Sequence, residues 1–67
     1  MKEKYTLVGV DGNAFSIMGY VRKAMKRERC TKEEIDAYTK EATSGDYNHL
    51  ICISVEMCDK LNGKAAW

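Results

Sequence analysis

A capping box in the middle of the chain, Thr31-Lys32-Glu33-Glu34, is the feature that most restricts how this sequence can fold. The threonine hydroxyl accepts from the backbone N–H three residues on, and the glutamate carboxylate reaches back to the threonine N–H, so a helix starts just after Thr31. Cys30 and Ile35 are spaced to close over that entry as a hydrophobic staple. Ile35, Tyr38 and Ala42 mark the inner face of the helix, and Gly45 is placed to end it in the left-handed conformation.

Upstream, Ala14, Ile17, Met18, Val21, Ala24 and Met25 recur at three- and four-residue spacing, which predicts a helix from Ala14 to about Arg29 with one apolar stripe. Gly12 can turn the chain into it and Asn13 is a good N-cap. Earlier still, Lys4 to Val10, KYTLVGV, is rich in β-branched and aromatic types and reads as a strand.

Downstream, Asp46 is placed to cap the segment from Tyr47 to Leu61, where two patterns compete. As a helix it gathers Tyr47, Leu50, Ile51, Met57, Cys58 and Leu61 on one face; as a strand over residues 50–57 it alternates Ile51, Ile53, Val55 and Met57 on one side. The length of the pattern, the cap and the stop signal Asn62-Gly63 favour the helix. The expected fold is a small α+β domain over residues 1–67, an N-terminal strand followed by three helices, or β-α-α-β if residues 50–57 form a second strand. With three helices the strand finds no partner within the chain, and strand 4–10 would pair with a second copy as a homodimer.

Eleven basic residues against ten acidic ones, with no proline, describe a globular chain whose net charge steers no particular partner. One core of this size supplies only about 3–5 kcal/mol, so help from a partner is natural. Cys30, Cys52 and Cys58 form no CxxC pair, fitting neither a disulfide framework nor a zinc site, and reduced thiols in a cytoplasm are the plain reading. The opening MKEKYTLVGV is too short for a signal segment or a membrane span.

Three constellations invite a functional reading. Arg22, Lys23, Lys26, Arg27 and Arg29 crowd the end of the first helix, with Ser16 and Tyr20 nearby, a pattern compatible with nucleic-acid binding through helix 14–29. The helix dipole explains the same cations, as it explains Glu33, Glu34 and Asp36 at the next N-terminus. GVDGNAF could hold an anion on the amides at Gly12 and Asn13, although it is neither GxGxxG nor a Walker loop and Asp11 opposes an anion. SGDYNHL places Ser44, Asp46 and the lone histidine, His49, within six positions. If Asp46 caps a helix its carboxylate is committed to backbone amides, and a triad also needs the histidine bridging serine and acid, so a rigid corner is expected. His49, Cys52 and Cys58 do not converge on a helix, which argues against a metal, and no cofactor or catalytic group is expected. Trp67 is either a loose end or a dock for a neighbour.

The blocks LVGVDGNAFSIMGYVRKAMKR, EEIDAY and EATSGDYNHLI, spanning about residues 7 to 58, resemble short, mostly uncharacterised open reading frames of bacteriophages, prophages and their hosts. The resemblance implies a mobile-element setting and action in the host cytoplasm, and carries no catalytic residues with it. A chain of this kind is expected to act by binding, first to a host protein in a counter-defence or takeover role, through the face carrying Ser16, Gly19, Tyr20, Lys23, Lys26 and Arg27. The alternative is an oligomer that holds a small anionic ligand, such as a nucleotide signal, between helix N-termini and basic side chains.

Overall fold

The computed structural model describes residues 5–64, and among them the chain is all-helical. Helix α1 spans Ala14–Arg27, α2 Lys32–Ala42 and α3 Tyr47–Lys64. Each begins at a side-chain cap, because the first turn of a helix has N–H groups with no partner inside it. Asn13 accepts from the Phe15 N–H at 2.8 Å. Thr31 accepts from the Glu34 N–H at 3.1 Å while the Glu34 carboxylate takes the Thr31 N–H at 2.8 Å. Asp46 accepts from the His49 N–H at 2.9 Å.

The three helices bury their inner faces against one another. Val21, Ala24 and Met25 of α1 meet Ile35, Tyr38 and Ala42 of α2 and Leu50, Cys58 and Leu61 of α3. Ser54 is fully buried among them, which is tolerable because its hydroxyl and that of Tyr38 share a 2.7 Å hydrogen bond. Burial raises the Tyr38 pKa, with the Ser54 hydrogen bond acting in the other direction.

The α+β expectation is overturned at the N-terminal segment. Residues 5–10 form no strand: the Val10 N–H closes a turn on the Leu7 carbonyl at 3.0 Å, with Gly9 at φ 87°, the positive value that the third position of a type II turn requires. Tyr5 is clasped instead by a side chain. Its N–H donates to Asn62 Oδ1 at 2.7 Å and its carbonyl accepts from Asn62 Nδ2 at 2.9 Å, the two-way exchange that a neighbouring strand would supply. The Thr6 N–H donates to the Tyr20 hydroxyl at 3.0 Å. With these groups engaged inside the chain, the homodimer through strand 4–10 loses its basis; Lys4 lies outside the described residues.

Three further expectations change. Residues 50–57 are helical throughout, so the β-α-α-β alternative falls. Helix α3 passes through the expected stop at Asn62-Gly63 and reaches Lys64, and Asn62 is recruited to the clasp; Trp67 lies outside the described residues. Gly45 does not take a positive φ. Its lack of a side chain makes room, since a Cβ there would lie 2.8 Å from His49 Cγ and 2.9 Å from His49 Cβ. The left-handed position falls at Arg29, φ 64°, where α1 ends.

Candidate binding surfaces

The SGDYNHL corner has the ingredients of a reactive cluster and the wiring of a structural one. His49 Nε2 lies 3.0 Å from both the Glu41 carbonyl and the Glu41 carboxylate, and 3.4 Å from the Ser44 hydroxyl. Two pure acceptors on one ring nitrogen assign the proton to Nε2, so that nitrogen donates and has no lone pair with which to activate Ser44. The serine proton is engaged elsewhere, on the Glu41 carbonyl at 2.7 Å. A triad needs serine and acid on opposite ring nitrogens; here both crowd the same one. Tyr47, which the helical pattern grouped with Leu50 and Leu61, is half exposed, and its hydroxyl donates to the Gly12 carbonyl, tying the start of α3 to the start of α1.

The anion candidate at Gly12 and Asn13 is filled by the chain itself. The Asp11 carboxylate accepts from the Asn13 N–H at 3.3 Å and the Asn13 side chain takes the Phe15 N–H, so two amides that an anion would need are engaged beside a negative charge. This is a capped helix start.

The residues expected on the binding face of α1 divide into two groups. Ser16 and Tyr20 are half buried, and Tyr20 serves the fold by accepting from Thr6. Gly19, Lys23, Lys26 and Arg27 are exposed, and a Cβ at Gly19 would meet nothing within 4 Å. Phe15 is 81% exposed. Its signal was its offset from the apolar stripe: Phe15, Gly19, Arg22 and Lys26 follow one another at four-, three- and four-residue spacing along the opposite side of the helix. The outward stripe of α1 is thus an aromatic, a bare glycine and a run of cations.

A second surface, not anticipated from the sequence, is an open groove of ≈ 430 Å³ between α2 and α3. Met25 and Leu61 are fully buried at its floor, with Tyr38, and Ile53 and Met57 form one wall. Ala37 faces it from the middle of α2, where a small side chain leaves the centre open. Its charged lining is Glu34, Glu41 and Glu56 against a single Lys60. Glu34, Ala37, Tyr38 and Glu41 repeat at three- and four-residue spacing, so the pattern was in the sequence, but only the packing of α3 beside α2 turns it into a groove.

Among the described residues no group of three or more His, Cys, Asp and Glu side chains could hold a metal ion, and no helix is long and apolar enough to cross a membrane. No protein-family model matches the chain, and neither a curated protein nor a solved structure shows significant similarity to it.

Proposed function

We propose that this chain is a non-enzymatic binding protein that docks onto a host protein through the outward stripe of α1, in the phage or prophage setting that its sequence blocks resemble. The observation that carries the reading is Phe15, 81% exposed and in line with Gly19 and Lys26. A large aromatic held in water gains free energy when covered, and aromatic anchors dominate the energetics of interfaces. Gly19 supports the same reading. Glycine in a helix interior costs about 1 kcal/mol relative to alanine, and none of the described residues approaches it, so the bare position suits the close approach of a partner's backbone. The cations beside it, Arg22, Lys23, Lys26 and Arg27, select an acidic partner surface and quicken encounter with it. A takeover or counter-defence role in the host cytoplasm follows from the setting.

The reading is tested by affinity purification from nuclease-treated host lysate, with the wild type beside Phe15→Ala and Gly19→Arg. Both positions are solvent-facing, so both variants keep the helical circular-dichroism spectrum. The wild type should retain a host protein that both variants lose at least tenfold. Equal recovery by all three proteins would refute docking through this stripe, and loss of the wild-type signal on nuclease treatment would point to nucleic acid instead.

A further inference from the structure

The two surfaces on this molecule complement each other. The groove offers an apolar floor and three glutamates to one lysine; the stripe offers a phenyl ring followed by lysines and arginine. They cannot meet within one molecule, because α1 contributes Met25 to the groove floor from its buried side, while the stripe lies on the opposite side of the same helix. We propose that the α2–α3 groove receives the α1 stripe of a second copy, so that copies associate head to tail.

Lengths and shapes agree as well as charges. Phe15 to Lys23 rises about 12 Å along α1, and Glu34 to Glu41 about 10 Å along α2, at 1.5 Å per residue. The middle of each run is a bare position, Gly19 on the stripe and Ala37 on the groove, which lets two helices approach closely at their crossing. The groove volume of ≈ 430 Å³ has room for the Phe15 ring over Met57 and Leu61. With the ring at the Glu34 end, Lys23 then lies at the Glu41 end of the groove. A docked pair keeps one stripe and one groove open, one on each copy, so the contact is heterologous and grows in one direction. A contact limited to one helix face is small, and association belongs at roughly 0.1–1 mM. The inference stands apart from the identity of any host partner, but a partner that covers Phe15 and Gly19 must displace the second copy.

Two single substitutions at exposed helix positions, each removing one half of the contact, test it. Gly19→Arg blocks the stripe and leaves the groove; Ala37→Arg blocks the groove and leaves the stripe. In sedimentation equilibrium the wild type should gain mass as concentration rises, and each variant alone should associate at least tenfold more weakly. An equimolar mixture should recover one intact contact and form a heterodimer that grows no further. A wild type that stays monomeric through millimolar concentration overturns the proposal. A mixture no heavier than its components does so too, as does a variant that associates like the wild type.

Discussion

The N-terminal segment and the corner between α2 and α3 both lie outside helices, and they are held mainly by opposite kinds of contact. In the corner the partners are near in sequence, apart from the Tyr47 hydroxyl on the Gly12 carbonyl: Asp46 takes the His49 N–H three residues on, the Ser44 hydroxyl donates to the Glu41 carbonyl three residues back, and His49 reaches Glu41 across eight residues. At the N-terminus the turn from Leu7 to Val10 is local, but the contacts that hold the segment on the helices are remote. Tyr5 is bound to Asn62 across 57 residues and to Glu28 across 23, and Thr6 to Tyr20 across 14. Local contacts form with the helices themselves, whereas remote ones require the loop to be closed first. The hydrogen bonds around His49 should therefore be a modest, local contribution, and the clasp should be coupled to the whole core, because it seats the buried Tyr5 in it.

The sharpest way to break that contrast is at Asn62. Asn62→Leu removes both partners of the Tyr5 backbone and leaves a partly buried N–H and C=O unpaired, at about 1–3 kcal/mol for each group. Urea unfolding should show a total loss of about 2–6 kcal/mol. A loss as small as a surface substitution gives would mean that water replaces the clasp and the coupling is absent.

At the corner the strongest lever is Gly45. A methyl group there meets the Cβ and Cγ of His49, atoms that no distal rotation can carry away, so Gly45→Ala must displace the imidazole from Glu41 at about 1–2 kcal/mol. Adding His49→Ala removes the contacts with Cγ and the ring and leaves only the one with Cβ. The double variant should therefore be more stable than Gly45→Ala alone, and a double variant that is worse would show the clash to be harmless.

A smaller effect at the clasp carries a pH signature. The Tyr5 hydroxyl donates to the Glu28 carboxylate, and burial, then that hydrogen bond and charge, push its pKa from 10.0 up to about 12. A pKa raised on folding means that the folded state holds the proton more tightly. The associated stability is complete below pH 10 and is lost as pH rises from about 10 towards 12. Tyr5→Phe should cost about 1 kcal/mol at neutral pH. Its Tm should then fall less than that of the wild type between pH 10 and 12; parallel curves for the two proteins would refute the assignment.

The same division between near and remote contacts governs what was legible in the sequence. The caps at Asn13, Thr31 and Asp46 were readable because each motif is complete within four residues. The buried stripe of α1 was readable because helical periodicity is itself local. The strand at residues 4–10 was a misreading of propensity: KYTLVGV has the composition of a strand, but its backbone found an asparagine side chain 57 residues away, which no local pattern announces. Asn62 and Gly63 likewise spell a helix stop until tertiary contact gives Asn62 another role. Of the two candidate surfaces, the cations and Gly19 of the stripe were legible. Phe15 was visible only as a residue off the apolar stripe, and the groove had to await the packing of α3 against α2.

The end of α1 offers the smallest test and the cleanest separation of local from remote. The Cys30 N–H donates to the Met25 carbonyl at 2.9 Å and the Arg29 N–H to the Lys26 carbonyl at 3.0 Å, the paired bonds of a Schellman ending. That ending puts Arg29 at φ 64°, where glycine is usual and a Cβ costs roughly 1–2 kcal/mol. Arg29→Gly relieves the strain but gives back about 0.5–1 kcal/mol through the greater freedom of glycine in the unfolded chain. It also removes a cation from the helix C-terminus, worth about 0.3–1 kcal/mol. Those terms nearly cancel, so the wild type is the wrong reference. Arg29→Ala loses the same charge and keeps the Cβ, and Arg29→Gly should exceed it by about 0.5–1 kcal/mol, a few degrees in Tm for a domain of this size. Because both backbone hydrogen bonds of this ending are local, that difference should persist unchanged in an Asn62→Leu background. A difference that vanishes there would show that the clasp reaches the end of α1 through Tyr5 and Glu28, and that the two kinds of contact are coupled.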